Sequence, residues 1–448
     1  MNTDIRILEV EPFFDEIKFR TSLKFGGNTI NSGISFTVRI KVENKKGNTG
    51  VGWGNVNLSY NWAFPSEYIS AEIRENILVD ISKKLSNFYK KIKGYWHPIE
   101  LYYNLKEEIY KQSEAVKIEY NISEQIPALA TLICNSPFDT ALHDALGKAN
   151  NISTFKTYST EFMDYELSRY LGEEFSGEYL SKYIKEKPAQ RIPIFHLVGG
   201  VDKLRESEID LNDPDDGLPV SLDQWIERDG IFCFKIKLSG EDIDWDVERT
   251  IEVAEVARES LQKKGLKDFY LSTDSNEKNK NPESVMEYLD KLKNRSPETF
   301  DRLLYLEQPT ERDLDRNQFD MSEISKIKPI VVDEGISGID KFIQALELGW
   351  SGAALKICKG FSSALLYVAM SEKYNLEYSV QDLTNTGISL IHSASLTSKI
   401  EPIMGFEYNS RQFMPEAYPE IRNEHSDIFK VKDGYIHLNS LKRVGLGY

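Results

Sequence analysis

The sequence predicts an α/β protein in which a (β/α)8 barrel of the TIM type follows an N-terminal α+β capping domain. Eight short apolar segments occur after residue 190, separated by helical or polar stretches: RIPIFHLV, IFCFKIKL, DFYLSTD, LLYLEQ, PIVVDE, AALKIC, LEYSVQD and IMGFEYN. Charged residues at the ends of seven of these segments recur at intervals of 37, 33, 26, 23, 26 and 25 residues: Lys237, Asp274, Glu307, Asp333, Lys356, Asp382 and Glu407. This spacing is close to one βα unit per step, which is typical of a barrel whose active rim is the C-terminal end of its strands.

The first 130 residues have the pattern of a small mixed domain. Ile34, Phe36, Val38, Ile40 and Val42 alternate with polar residues before the turn-rich NKKGN, which predicts a half-buried strand of a hairpin. A long amphipathic helix is expected after this sheet. We therefore expect a capping domain at 1–130, the barrel at 131–415 and a C-terminal segment at 416–448 that packs back on the capping domain.

Composition and charge favour a small-molecule partner. The chain has 448 residues, 40% hydrophobic content and a net charge of -16, which disfavours nucleic acid and anionic membranes as partners. Its three cysteines show no pairing pattern, and no stretch approaches the roughly 18 apolar residues of a membrane span. We expect a cytoplasmic protein that forms a homo-oligomer and binds a small carboxylate.

Three carboxylates end three successive predicted strands: Asp274 in LSTDSNE, Glu307 in YLEQP and Asp333 in IVVDEG. Parallel strands of a closed barrel deliver their terminal side chains to one rim. A hard divalent cation needs oxygen ligands that converge on one point. The pattern therefore predicts a metal site at the rim.

Lysines flank the three carboxylates on both sides in the sequence. Residues two apart on a strand face the same side, so Lys235 and Lys237 are predicted to face the lumen while apolar neighbours face the helices. On the sixth strand the same rule sends Lys356 inward and Lys359 to the other side, which makes Lys356 the better candidate base. The alternative for each lysine is a surface cation or a structural ion pair.

Two further acidic residues, Asp382 and Glu407, end the seventh and eighth predicted strands. Each is a candidate to bind substrate, or else to cap the following segment or pair with a rim lysine. Pocket shape is expected to depend on N-terminal loop residues such as Phe25, Tyr60 and Trp62. The acidic stretch ESEIDLNDPDDG is expected to be a solvated loop, and the sequence assigns no purpose to residues 155–190.

These motifs resemble the enolase superfamily, and within it the lysine-lysine subgroup of the mandelate racemase and muconate lactonizing enzyme family. The resemblance is carried by Lys235-Ile-Lys237, Asp274, Glu307-Gln-Pro, Asp333-Glu334 and Lys356-Ile-Cys-Lys359-Gly360. It implies that the three carboxylates bind Mg²⁺, with Mn²⁺ as an alternative. It also implies that Lys237 and Lys356 stand on opposite faces of the substrate and that Lys235 assists Lys237. A Lys or His base with Mg²⁺ on an enolate-type intermediate is the chemistry already described for this superfamily.

The reaction stays open between several outcomes. Two opposed bases permit racemisation or epimerisation, and the same groups permit cycloisomerisation or the dehydration of an acid sugar or hydroxy acid. A barrel that binds a ligand without turnover and a Schiff-base aldolase are further alternatives. Relatives that act on dipeptides carry an Asp-x-Asp pair on the eighth strand, where this chain has Glu407-Tyr408-Asn409.

Overall fold

The computed structural model describes the backbone of residues 1–25 and 28–448, and the side chains of residues 24–28, including that of Phe25, lie outside the described part. Three antiparallel strands form an N-terminal sheet in the order β1-β2-β3. Their bounds are β1 Ile5–Phe25, β2 Asn28–Asn44 and β3 Thr49–Asn57. As the alternation predicts, Phe36, Val38, Ile40 and Val42 of β2 are buried.

Eight parallel strands form a closed barrel, because β11 pairs with both β10 and β4. The bounds of these strands are β4 Arg191–Val198, β5 Cys233–Lys237, β6 Tyr270–Asp274, β7 Leu303–Glu307, β8 Ile330–Val332, β9 Gly352–Lys356, β10 Glu377–Gln381 and β11 Phe406–Glu407. A further strand, β12 (Tyr435–His437), pairs antiparallel with β4. The predicted fold class, a (β/α)8 barrel with an N-terminal α+β cap, is confirmed.

Helices surround the barrel and complete the cap. The α-helices of the described chain are α1 Tyr60–Ala63, α2 Ala71–Tyr89, α3 Pro98–Glu119, α4 Ala128–Ala149, α5 Ser168–Leu171, α6 Leu222–Asp229, α7 Ile243–Lys263, α8 Pro282–Arg295, α9 Pro297–Arg302, α10 Ser322–Ser325, α11 Ile339–Glu347, α12 Phe361–Tyr374, α13 Gly387–Thr397, α14 Ser410–Phe413, α15 Pro419–Glu424 and α16 Ser426–Phe429. Short 3-10 helices occur at Thr154–Tyr158, Glu173–Phe175, Leu180–Lys182, Glu206–Glu208 and Ile357–Lys359. None of the helices in the described ranges combines the length and apolarity needed to cross a bilayer.

The two faces of β5 have different surroundings, as the alternation of its residues predicts. Phe234 and Ile236 belong to the large core between the strands and the outer helices. Cys233 belongs to a small separate cluster inside the barrel, with residues of β4, β7, β8 and β9. Lys235 and Lys237 share the face of Cys233, so both lysines enter the lumen.

Helix α4 packs directly on the capping sheet. Gly50, Gly52 and Gly54 alternate along β3 and turn the same face toward α4, where a side chain would overlap the helix backbone. The apolar residues of α4 accordingly share one core with the sheet. The expected domain boundary at residue 130 falls inside this helix, so packing favours a boundary after residue 149, and the domain limits stay a prediction.

Residues 155–190 and the C-terminal segment both pack against the barrel. Phe155, Tyr158, Phe175 and Leu180 are buried in the barrel core, which gives the first of these segments a packing role. In the C-terminal segment, β12 extends the barrel at β4, and the backbone N–H of Leu446 donates to Asp144 of α4 at 2.9 Å.

We expect Gly52→Ala to lower the free energy of unfolding by about 1–3 kcal/mol, because the added Cβ would overlap the carbonyl oxygen of Ala141 and overpacking forces a backbone shift. Urea unfolding monitored by circular dichroism measures the change. Gly33→Ala in β2 is the matched control, since a Cβ there meets no atom within 4 Å. Equal stability of the two variants would contradict the role assigned to the glycine stripe.

Candidate active site

The barrel strands deliver the candidate residues to one rim at nearly the same level. In the pairing of neighbouring strands Lys237 lies beside Asp274, and Asp274 lies beside Glu307. Asp333 follows the last residue of β8 directly, and Lys356 is the last residue of β9. The three carboxylates therefore come from three consecutive strands, as the sequence predicts.

Lys235 lies at the centre of this rim, where its Nζ contacts three carboxylates. The distances are 3.1 Å to Asp274, 2.8 Å to Glu307 and 2.9 Å to Glu407. Lys237 lies nearer the mouth and donates to Asp274 at 2.5 Å. Both lysines are thus ion-paired in this arrangement.

A second group of ion pairs forms around Asp333. Lys356 donates to its Oδ2 at 2.5 Å and lies 3.8 Å from Glu307. Lys359 lies 2.9 Å from the Oδ1 atom and donates to the backbone oxygen of Asp333 at 2.6 Å. The sequence prediction that Lys359 points to the other side is wrong, because β9 ends at Lys356 and a 3-10 turn at Ile357–Lys359 breaks the alternation of a strand.

The two candidate bases come from opposite sides of the barrel. Lys237 ends β5 and Lys356 ends β9, and these are four strands apart in the eight-stranded ring β4 to β11. Both line the same pocket. Their ammonium groups are therefore attached to opposite walls of the pocket.

The paired charges shift the pKa values of the groups around Asp333. Burial alone would raise the pKa of Asp333, but the Lys356 and Lys359 ammonium groups outweigh burial and hold this pKa well below its usual range. Burial lowers the pKa of Lys356, but the charges of Asp333 and Glu307 raise it by a larger amount. The net shift of the Lys356 pKa is therefore upward. Lys356 is therefore an ammonium group as long as these carboxylates are its partners.

Glu307 lies in the middle of the carboxylate row. Burial raises its pKa to about 7; Lys235 opposes this rise, and the flanking charges of Asp274 and Asp333 add to it. At Asp274, burial would raise the pKa, but the Lys237 and Lys235 charges lower it below its ordinary value. The pKa values of Asp274 and Glu307 therefore depend on the buried charges around them.

The carboxylates of Asp274, Glu307 and Asp333 offer a donor set that suits a hard divalent cation, since all three are oxygen ligands, buried and adjacent. In their present positions lysine ammonium groups separate them, and the described side chains hold no group of three His, Cys, Asp or Glu arranged as a metal site. The Oδ1 atom of Asp333 contacts the Lys359 ammonium at 2.9 Å but lacks a hydrogen bond of regular geometry. The residues thus fit a cation in the chemistry of their donor atoms and in coming from three neighbouring strands, and binding requires the ammonium groups to give up carboxylate oxygens.

Asp382 and Glu407 have different surroundings. Asp382 accepts hydrogen bonds from the backbone N–H of Thr384 at 2.8 Å, Asn409 at 2.9 Å and Ser410 at 3.3 Å, and it is absent from the residues that line the described pocket. Leu383 and Thr384 have positive φ, so this carboxylate holds a strained turn at the pocket wall. This corresponds to the capping alternative stated for Asp382.

Glu407 does line the pocket. Its oxygens accept hydrogen bonds from Lys235 and from the amide of Asn409.

Several polar residues that were not predicted from the sequence orient the charged ones. The side chain of Gln308 accepts from the backbone N–H of Asp333 at 2.8 Å and of Gly335 at 3.1 Å. Gln381 donates to Glu307, and Asn276 accepts from Lys237 at 2.8 Å. Asn276 and Gln308 lie within the motifs LSTDSNE and YLEQP, close to the candidate carboxylates. This position was the sequence signal that could have identified them.

The capping domain covers the rim and forms the upper half of a pocket with about 850 Å³ of empty space, part of it continuous with solvent. Ile17, Phe19, Leu23 and Ile30 of the β1-β2 hairpin supply an apolar roof. Tyr60 and Trp62 of α1 also line it, as expected from the sequence. The pocket is therefore charged at its floor and apolar at its roof.

Trp62 links the cap to the barrel. Its Nε1 donates to Glu334 at 2.9 Å, and the Nζ of Lys356 lies 5.1 Å from the centre of its ring. Arg312, which also pairs with Glu277, donates to the backbone oxygen of Trp62 at 2.9 Å. Burial raises the pKa of Glu334 to about 8, and the charge of Asp333 adds to this rise.

Comparison with known proteins agrees with this architecture. The family model for the enolase C-terminal domain-like group matches residues 219–448. The chain therefore belongs to the enolase superfamily, in the mandelate racemase and muconate lactonizing enzyme family. No curated protein matches the chain by sequence.

Three solved structures illustrate the similarity. A dipeptide epimerase from Enterococcus faecalis V583, complexed with Mg and the dipeptide L-Leu-L-Tyr, has 17% identity and a TM-score of 0.62 over 99% of both chains. An enolase from Bradyrhizobium with magnesium and mandelic acid has 15% identity and a TM-score of 0.58, over 100% of this chain and 96% of its own. The N-succinyl Arg/Lys racemase of Bacillus cereus ATCC 14579 has 15% identity and a TM-score of 0.56, over 99% and 95%. At these identities the likeness shows the fold.

We expect Trp62→Phe to lower the free energy of unfolding by about 1–2 kcal/mol, because the ring over Lys356 remains while Glu334 loses a buried donor. Chemical denaturation measures the loss. Trp53→Phe is the control, since the half-buried Trp53 stacks on Phe13 on the other face of β3, and a change below about 0.5 kcal/mol is expected there. Equal losses in both variants would show that the hydrogen bond to Glu334 adds nothing.

Proposed function

We propose that this protein abstracts a proton alpha to a carboxylate, with a divalent cation, through an enolate intermediate, and that it is a racemase or epimerase. The observation that carries the proposal is the placement of Lys237 and Lys356 on opposite walls of one pocket. Lys237 contacts Asp274, and Lys356 contacts Glu307 and Asp333. Two bases on opposite faces let a proton leave on one side and return on the other. Cycloisomerisation uses the same groups and is the second candidate.

Asp274, Glu307 and Asp333 would hold Mg²⁺, with Mn²⁺ as an alternative. When bound, the cation stabilises the second negative charge that develops on the substrate carboxylate. Magnesium is present in the dipeptide epimerase and the Bradyrhizobium structures named above, which supports this assignment.

The lysines would divide the proton transfer between them. Lys356 is held as an ammonium group by Asp333 and Glu307, so it accepts a proton only when these carboxylates are engaged elsewhere. Lys237 contacts Asp274 and would have to leave this carboxylate to reach the opposite face of the substrate. Lys235 lies between Asp274 and Glu407, within reach of the same charge cluster, and would assist Lys237.

The roof of the pocket would bind the part of the substrate that lies away from its carboxylate. The described hairpin side chains that face the pocket are mostly apolar, which suits an apolar substituent. A roof that keeps water away from the floor would strengthen the electrostatic interactions there.

The proposed reaction predicts exchange of the alpha proton with solvent. We expect at least one of three acids to incorporate deuterium at its alpha carbon in heavy water with Mg²⁺, followed by NMR: mandelate, L-Leu-L-Tyr or N-succinyl-lysine. These compounds are named for the structural neighbours. A covalent adduct on Lys237 or Lys356 after borohydride treatment, without exchange, would instead support a Schiff-base aldolase.

For an acid that exchanges, the two lysine variants are expected to have reciprocal effects. Lys356→Ala loses exchange from one enantiomer by about 100-fold or more and keeps it from the other, because each base serves one face. Lys237→Ala has the opposite preference and is the matched control. Unchanged exchange from both enantiomers in the Lys356 variant would refute the two-base scheme.

Metal binding can be tested without turnover. We expect Asp333→Asn to weaken Mn²⁺ affinity by about 100-fold or more in an electron paramagnetic resonance titration, with Mg²⁺ competing in the native protein, because a carboxylate ligand is lost. Asp382→Asn is the control, as this equally buried carboxylate binds backbone N–H groups, and its Mn²⁺ affinity should stay within about threefold. Equal affinity of the native protein and the Asp333 variant would remove Asp333 from the metal site.

A further inference from the structure

The capping hairpin changes its strand pairing where it passes over the barrel. Lys18 of β1 pairs with Ser32 of β2, and Leu23 pairs with Ile30, so residues 19–22 lie opposite Asn31 alone. Extra residues in one strand bend it and redirect its side chains. The irregular segment therefore marks a place where side chains leave the ordinary alternation of the hairpin.

Phe19 and Arg20 leave this segment in different directions. Phe19 lines the pocket and packs with Leu23 against Leu197 and Phe413 of the barrel. Arg20 reaches instead to the acidic loop between β4 and α6, where it donates to both carboxylate oxygens of Asp216, at 2.5 and 2.8 Å. The apolar side and the charged side of the hairpin are thus attached to the barrel separately.

Arg20 also binds the backbone of this loop. It donates to the carbonyl oxygens of Leu218 at 3.1 Å and Pro219 at 3.2 Å. The Arg20 side chain is only 8% exposed, whereas Asp216 is 40% exposed. An exposed ion pair by itself contributes little to stability. The planar Arg20 guanidinium, however, donates to one carboxylate and two carbonyl oxygens at once, so it loses little conformational entropy for each hydrogen bond formed.

The acidic loop has its own internal support. Lys203 pairs with Asp210 at 2.8 Å and with Asp213. The loop is therefore held by its own ion pairs, while most of its residues are exposed, as expected for a solvated loop. Its position beside the hairpin makes it an anchor point for the cap.

We propose that Arg20 is a positioning residue that fastens the outer half of the β1-β2 hairpin to the acidic loop and thereby holds the apolar roof over the pocket. The acidic loop is then part of the substrate-enclosing structure. The mechanical part of this proposal stands on the contacts alone; its link to substrate rests on the proposed function.

Hydrogen exchange of the full-length protein tests the proposal, read by mass spectrometry on peptides from residues 13–23 and 30–36. We expect Arg20→Met and Asp216→Asn each to speed exchange of these peptides about threefold to tenfold, with peptides from β6 and β7 unchanged as the folding control. Asp215→Asn is the matched control, because Asp215 is the exposed neighbour of Asp216 in the same loop. Its hairpin exchange should equal that of the native protein.

A charge swap separates the ion pair from a general effect of the substitutions. The double variant Arg20→Asp with Asp216→Arg is expected to recover at least about half of the lost protection. Native exchange rates in both single variants would overturn the proposal, as would equal acceleration by Asp215→Asn. Failure of all three acids to exchange their alpha protons would count against the proposed reaction and would leave the hairpin result intact.

Where an acid of the panel does exchange, Arg20→Met should raise its KM about fivefold to tenfold while kcat stays within about twofold. A loosened roof weakens the binding of ground state and transition state alike, and this combination is its kinetic signature. A fall in kcat at constant KM would contradict a positioning role through the roof.

Discussion

The buried row of alternating ammonium and carboxylate groups at the barrel mouth is the constraint on which the rest of the structure depends. Lys237, Asp274, Lys235, Glu307 and Lys356 follow one another in contact, and all but Lys237 are buried. A charge in the barrel interior is tolerated only with a partner, and removal of one partner from a buried pair costs about 3–5 kcal/mol. The strands must therefore end at matching levels, which the pairing of β5, β6 and β7 achieves.

This constraint explains why so many uncharged polar residues surround the row. Gln308 fixes the backbone at Asp333, and Gln381 supplies a donor to Glu307. These uncharged groups orient the lysines and carboxylates without adding charge. The net charge of the row therefore stays close to zero. The same balance makes the row responsive, because added positive charge at the carboxylates would free the Lys356 ammonium group and lower its pKa.

The sequence predicts the fold and the floor of the site better than the roof. Strand parity places Lys235, Lys237 and Lys356 correctly because these residues lie within regular strands. It fails at Lys359, where the chain has already entered a 3-10 turn. Two of the three backbone N–H groups that Asp382 binds lie 27 and 28 residues away in the chain, and no local pattern encodes such contacts.

The eighth strand bears on the choice of substrate. Glu407 accepts from Lys235 and from Asn409. The family resemblance implies that Asn409 corresponds to the second aspartate of relatives that act on dipeptides. A substrate ammonium group would have to compete with Lys235 for this one carboxylate, inside a row whose charges are already paired. Since an unpaired buried charge is costly, such competition disfavours a substrate with a free amine at this position. The surroundings of Glu407 therefore favour an acid whose remaining groups are uncharged, in keeping with the apolar hairpin side chains above it.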